Sequence, residues 1–263
     1  MNALTGSFFL LGTAAFVLVS LVIGVRLAML SRRTGENPEL YLGLGILGTA
    51  VLGYGAIIAS VVLRGPEGTS AGTPVEVALT GFGKLLHNMG LTLVLLFVVT
   101  VFRRNDAGAR MLFGVAVSAL WIGMVGLGAT GGFEDMTMKN VFWWMEYAVV
   151  WTYPLWGAWE SFRYHGRMKK RARIGLADPL VANRFLLWGL ASMGTFAATW
   201  LASWPVLLPD PEMVLPFQTF NYLSTAAMGI CTVTLYSLAF LPPAWYRRWV
   251  AQAAAPTGGA RAA

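Results

Sequence analysis

Seven apolar stretches, roughly 8–30, 40–63, 78–102, 111–130, 141–162, 182–204 and 216–241, divide the chain, with short polar segments between them. About 20 apolar residues, rising ~1.5 Å each as a helix, cross a hydrocarbon layer of ~30 Å. Backbone polar groups cannot be left open to lipid, so each stretch predicts a helix rather than an open strand. The pattern predicts an all-α fold. Residues 1–250 form one bundle of seven transmembrane helices, and 251–263 form a disordered tail. The connecting loops are too short to fold by themselves.

The helix boundaries carry local signals. Asn37-Pro38-Glu39 sets a cap, a first-turn proline and an acid ahead of span 2. Thr73-Pro74-Val75-Glu76 fits a capping box, so span 3 reads as a helix from about 74 to 103. That is longer than the layer is thick, so it must tilt or protrude. Asp178-Pro179 repeats the cap and proline before span 6, and Pro242-Pro243 stops span 7. Glycines on span 2 (Gly43, Gly45, Gly48, Gly53, Gly55) and on span 4 (Gly114, Gly123, Gly126, Gly128) let neighbouring backbones approach closely. No duplicated halves are visible, and seven is odd, which argues against a transporter-like inverted repeat.

Charge orients the bundle. Of the 19 basic residues, all but Arg64, Lys84 and Lys139 follow spans 1, 3, 5 and 7. The opposite side carries Glu67, Glu76, Glu134, Asp135, Asp210 and Glu212. The positive-inside rule then places the N-terminus outside and the C-terminus in the cytoplasm. The densest basic run, Arg163 to Arg173, reads as a loop. It either fixes topology against anionic lipid or docks an acidic cytoplasmic protein. The chain is 57% hydrophobic and 12% charged, against ~25% charged in soluble domains. Its net charge of +7 is accounted for by these loops, without a nucleic-acid partner. The first stretch lacks a basic n-region and ends in a basic stop-transfer cluster, so it reads as helix 1 and not as a cleaved signal. Arginine far outnumbers lysine in an Ala- and Gly-rich chain, which suggests a bacterial source with a GC-rich genome and hence the cytoplasmic (inner) membrane.

Four polar groups lie in the outer half of this layout. Glu146 sits early in span 5, and an acid within a span is a functional candidate unless it lies in the outer interface. Trp143, Tyr147, Val150, Trp151 and Pro154 share its face, and these aromatics fit either a pocket wall or an interfacial belt. Lys84, His87, Asn88 and Leu91 form one face of span 3, and Lys84 is the natural partner of Glu146. His87 is an intramembrane histidine suited to a proton-sensitive switch or to plain structural bonding. Span 7 offers Gln218, Asn221, Tyr222 and Thr225, and span 6 offers Thr195, Thr199, Trp200 and Ser203 with Trp204-Pro205. Helical Ser and Thr often bond back to their own backbone. Together the four groups outline an outward-facing pocket with aromatic walls. The candidate ligand-binding residues are Lys84, His87, Asn88, Glu146, Tyr147, Trp151, Gln218, Asn221 and Tyr222.

Several chemistries are excluded by what is missing. Span 7 has no lysine for a retinal Schiff base. Two histidines, His87 and His165, on opposite sides cannot hold one haem or a multi-histidine di-iron site. Cys231 is the only cysteine, so neither an intramolecular disulfide nor a cysteine metal site can form. There is no phosphate-binding glycine loop and no nucleophile elbow, and Glu146 has no companion acids to form a proton-pumping chain. An enzyme is not expected, nor a metal or a cofactor.

The stretches Ala177-Asp178-Pro179-Leu180-Val181-Ala182-Asn183-Arg184-Phe185-Leu186-Leu187-Trp188-Gly189 and Phe240-Leu241-Pro242-Pro243-Ala244-Trp245-Tyr246-Arg247-Arg248-Trp249 carry a resemblance. With the loop from Arg32 to Leu40, they resemble a bacterial family of seven-helix membrane proteins to which no activity is attached. The resemblance implies the helix count and brings no catalytic or cofactor residue. The expected function is a membrane sensor or receptor for a small cationic or amphipathic ligand, signalling through basic cytoplasmic loops. An accessory subunit of a larger membrane complex, contacting pigment or lipid, and a small-solute transporter stand beside it.

Overall fold

The computed structural model describes residues 3–64, 72–135, 139–207 and 211–254, and among these helix is the only regular structure. In chain order the elements are α1 (Ala3–Thr34), α2 (Asn37–Ile46), a π-helical segment (Leu47–Gly53), α3 (Tyr54–Arg64), α4 (Pro74–Phe102) and α5 (Ala107–Ala129). They continue with α6 (Val141–Arg173), α7 (Pro179–Leu207), α8 (Pro211–Phe240) and α9 (Ala244–Ala254). Among the described residues six stretches are long and apolar enough to cross a membrane: Leu10–Thr34, Asn37–Leu63, Pro74–Phe102, Ala107–Ala129, Pro179–Ser203 and Thr219–Phe240. They fit a multi-pass membrane protein. The fifth expected span, α6, is long enough at 33 residues but not apolar enough. Its two acids, its tyrosines and tryptophans and its basic last turns dilute the aliphatic content.

The helices close a ring. Contacts run from α1 to α2, on to α4, and then in order through α5, α6, α7 and α8 back to α1, while α9 packs on α7. Arg32, Arg103, Arg173 and α9 gather at one end, here the basic end, and Thr73, Thr130 and Asn140 lie at the far end. Aliphatic side chains such as Val62, Met111 and Val125 point outward with more than half their surface exposed, as suits helices bathed in lipid. Inside, Leu91, Leu95, Leu120 and Val149 knit α4, α5 and α6 together. Towards the basic end Phe97 stacks on Trp188, and Phe102 meets Tyr164 and Phe185 edge-on, so aromatic rings fill the bundle there.

The caps are local and mostly as the sequence suggests. The Thr73 amide donates to Glu76 Oε2 at 2.8 Å and the Glu76 amide donates to Thr73 Oγ1 at 3.5 Å, completing the capping box. The Leu180 amide donates to Asp178 Oδ1 at 2.8 Å at the start of α7. Span 2 departs from its reading. Asn37 is already helical, Glu36 occupies the cap position without a side-chain bond, and Pro38 fills the first turn. The basic run after span 5 is not a loop. Helix α6 continues through Arg173, because Arg, Lys, Met and Ala are good helix formers and cations suit a helix C-terminus. It ends where Gly175 takes φ +72° and the Leu176 amide reaches the Arg171 carbonyl at 2.9 Å. Residues 251–254, expected as tail, belong to α9, which runs to Ala254; the rest of the expected tail, 255–263, lies outside the described residues.

The π segment has no counterpart in the sequence reading, and packing accounts for it. A Cβ on Gly53 would stand 2.6 Å from the His87 amide nitrogen, and one on Gly90 would stand 2.4 Å from the Thr49 nitrogen. With side chains absent at Gly45, Gly48, Gly53, Gly83 and Gly90, the π segment lies backbone against backbone on α4. That contact compensates for the poorer hydrogen-bond geometry of a wide turn, which in helices often marks a functional site.

Candidate functional site

The far half of the ring encloses a cavity of ≈ 420 Å³ whose wall draws on α1, the π segment and α3 to α8. Its volume falls within the range of small-molecule sites. A second cavity of ≈ 80 Å³ lies on the basic side of the first, and Phe16, Thr49, Ala50, Tyr153 and Thr195 belong to both walls. Pro154, inside α6, lines the smaller one.

Charge enters the larger cavity as a pair. Lys84 Nζ on α4 lies 2.8 Å from Glu146 Oε2 on α6, with the lysine side chain 16% and the glutamate 2% exposed. Asn88 Nδ2 donates to the other carboxylate oxygen at 3.2 Å, and the lysine sits 5.3 Å from the centre of the Tyr147 ring. Gly123 makes the pairing possible from behind, since a Cβ there would stand 2.8 Å from the Glu146 amide nitrogen. So α5 presses its backbone on α6 and turns Glu146 towards α4. A buried carboxylate is tolerable only when its charge and lone pairs are met in this way.

His87 is positioned by the π segment. Its Nδ1 lies 3.3 Å from the Thr49 carbonyl oxygen. A carbonyl only accepts, so Nδ1 carries the hydrogen in that bond. His87 and Glu146 line the same cavity. Trp143, 3% exposed, stacks on Tyr147 with ring centres 4.0 Å apart, and both belong to the wall. Trp143 is therefore a core side chain and not part of a lipid-facing belt, whereas Trp144 is 46% exposed.

Other expected residues stand elsewhere. Trp151 is behind the wall and donates from Nε1 to Ser203 Oγ at 3.1 Å, fixing a hydroxyl that does line the cavity. Asn88 braces Glu146 without lining the cavity. Asn221 is consumed as a staple, its Nδ2 donating to the Leu201 carbonyl on α7, so the cavity wall does not include it. Tyr222 is also absent from the wall. The side chains of Gln218, Trp204 and Pro205 lie outside the described residues. From the span 7 stripe Thr225 lines the wall, joined by Ala226, Gly229 and Thr232.

The sequence reading missed a second buried acid. Glu160 is 2% exposed and takes a 2.7 Å bond from Arg103 Nε, with Arg163 3.9 Å away. Arg103 also holds Asp106 at 3.1 Å. The Glu160 hydrogen bond, followed by the nearby acids, raises the Arg103 guanidinium further above its usual range. Asp106 caps α5 by accepting from the Ala109 amide, and that bond, followed by Arg103, holds its carboxyl below the usual value. The available signal was helical spacing. Glu160 follows Glu146 by about four turns on one face, with Val150, Pro154 and Gly157 between them. Among the described residues no group of three or more His, Cys, Asp and Glu side chains is arranged to hold a metal ion.

Compared with protein-family models, with curated proteins and with solved structures, the chain matches none.

Proposed function

We propose that this chain is a sensor or receptor of a bacterial cytoplasmic membrane that binds a small amphipathic molecule inside its helix ring. In this reading α6 also crosses the membrane, as the fifth of seven spans, the basic end faces the cytoplasm and the far end faces outward, in keeping with the resemblance to a seven-helix bacterial family. Support for α6 as a span is its place between α5 and α7, with both acids paired inside the bundle. Support for the orientation is the gathering of basic residues at one end. The single observation that carries the binding function is the ≈ 420 Å³ cavity, walled by every expected span and holding a satisfied ion pair. Because Lys84 already neutralises Glu146, an amphipathic ligand suits the cavity better than a cationic one. Occupation would bear on the outer part of α6, and α6 carries the motion past Pro154 to its basic last turns.

The reading is tested by hydrogen exchange on the protein in nanodiscs, with and without a compound selected for cavity binding. Occupancy should change protection in residues 163–184 at the basic end. A bound compound that leaves this segment untouched removes the sensor function and leaves only binding. A solute transporter is the second reading, favoured by the ≈ 80 Å³ cavity beneath the first. Uptake of a labelled cavity ligand into sealed proteoliposomes would select it over the sensor.

A further inference from the structure

The basic end carries an element that the cavity does not use. Pro242-Pro243 ends α8, and the chain restarts as α9, which holds three aromatic residues, two arginines and no acid. Its inner face is built from Tyr246 and Val250, four residues apart, which share a buried cluster with Leu187 of α7 and Ala239 of α8. Asn183 of α7 donates from Nδ2 to the Tyr246 hydroxyl, which pins α9 to the bundle. Trp245 and Trp249 repeat the same spacing on another face, and both are more than half exposed. Arg247 and Arg248 lie between them in sequence and are exposed. Arg248 Nε reaches the Ala244 carbonyl of its own helix at 3.4 Å, and neither arginine has an acidic partner among the described residues.

Packing sets the depth of this helix. Leu180 and Leu187, in the first three turns of α7, belong to the same cluster, so α9 lies beside the start of α7 and not beyond it. The apolar stretch of α7, Pro179–Ser203, has 25 residues, about 37 Å of helix, against a hydrocarbon layer of ~30 Å. Its first turn therefore reaches the headgroup layer, and α9 with it. The neighbouring turn agrees, since Ile174 and Leu176, just ahead of α7, are also more than half exposed. Leaving four large apolar side chains in water at this end would be costly. A bilayer interface covers them, and tryptophan favours that depth.

Charge selects the lipid. Arg184, next to Asn183 on α7, is exposed as well, and the acid nearest to it in sequence, Asp178, already accepts from the Leu180 amide. The surface around α9 is therefore net positive. A guanidinium presents a planar fork to phosphate oxygens. A zwitterionic headgroup brings its own cation towards the arginines, whereas an anionic one does not. We infer that α9 is an interfacial helix that binds anionic phospholipid headgroups, with Arg247 and Arg248 on the phosphate and Trp245 and Trp249 at the edge of the acyl layer. The cavity plays no part in this contact.

Hydrogen exchange of the full-length protein, with no added compound, tests this in nanodiscs of phosphatidylcholine alone or mixed with phosphatidylglycerol at one ionic strength. Exchange over residues 244–254 should slow at least about fivefold in the mixed discs, the worth of one arginine at an anionic surface. The paired change Arg247→Gln and Arg248→Gln should erase that gain. It should leave the melting temperature in phosphatidylcholine discs unchanged, because both side chains are exposed. Trp245→Ala with Trp249→Ala should speed exchange over 244–254 in both kinds of disc. Native mass spectrometry should count fewer retained phosphatidylglycerol molecules on the arginine variant than on the unmodified protein. Equal exchange in the two lipids, or a gain that survives loss of both arginines, overturns the anionic headgroup as occupant. So does the same protection from inorganic phosphate in phosphatidylcholine discs, which would make phosphate alone the ligand. A lower melting temperature of the arginine variant in phosphatidylcholine discs would assign the two arginines to the fold instead.

Discussion

Helix α6 carries two buried acids, each paired with a cation from α4 or its C-terminal cap, and the two ends of the bundle use the same chemistry differently. At the far end Glu146 has one lysine and one asparagine, and the pair borders a cavity. At the basic end Glu160 has Arg103 and, more distantly, Arg163, beside a packed set of aromatic rings. Lys84 is 16% exposed, whereas Arg103 and Arg163 are 27% and 36% exposed. The first pair is the more buried, so its charges must cancel locally. The second has the more exposed cations and works as a clamp between helix ends. A carboxylate in a helix is thus not by itself a site, since what it borders decides.

The largest expected effect follows from the drier pair. Glu146→Gln should leave the Lys84 ammonium buried without a counter-charge and lower stability by about 3–5 kcal/mol. Adding Lys84→Met should recover much of that loss in a detergent-denaturation series, and strictly additive losses would separate the two residues energetically. Glu160→Gln should cost less, about 1–3 kcal/mol, because Arg103 can turn to water. High salt should shrink the Glu160 effect and leave the Glu146 effect nearly intact. Equal salt sensitivity would erase the distinction between the two ends.

Next comes the scaffold of the cavity. Gly90→Ala drives a methyl against the Thr49 backbone and should cost about 1–3 kcal/mol as overpacking. It should also shift the His87 ring resonances, which the matched change Gly55→Ala, facing open space, leaves alone. The smallest effect belongs to Asp106. Its carboxyl titrates lower in the folded chain than its ordinary value of 3.8, so its contribution is whole above that pH. It is lost as pH falls through the lower folded value. Asp106→Asn keeps a capping side chain without the charge, so it should lower the melting temperature slightly at neutral pH, where the carboxylate contributes, and leave it nearly unchanged at acid pH, where Asp106 is protonated. A change at acid pH larger than the change at neutral pH would contradict the assignment.

What could be read in advance was local. The Thr73 box, the Asp178-Pro179 start and the Pro242 stop depend on neighbours in the chain, and a lysine and a glutamate in apolar runs have few partners but each other. What escaped depends on other helices. The π segment lies where its own glycines and Gly45 of α2 meet α4 across space, and no periodicity in 47–53 announces it. Glu160 was hidden by the basic residues after it, which made the end of α6 read as a loop. Asn221 depends on another helix too: the amide that looked available bonds to the Leu201 carbonyl on α7.

The central claim is that the far-end cavity holds a small molecule. Native mass spectrometry of the protein released from nanodiscs formed directly on its own membranes tests it most directly, with Ala198→Trp, which fills the cavity, run in parallel. The account predicts a discrete non-covalent small-molecule mass on the unmodified protein and its loss from the filled variant, with both retaining the same fold by circular dichroism. A bare mass for the unmodified protein, or an adduct kept equally by the filled variant, would contradict it.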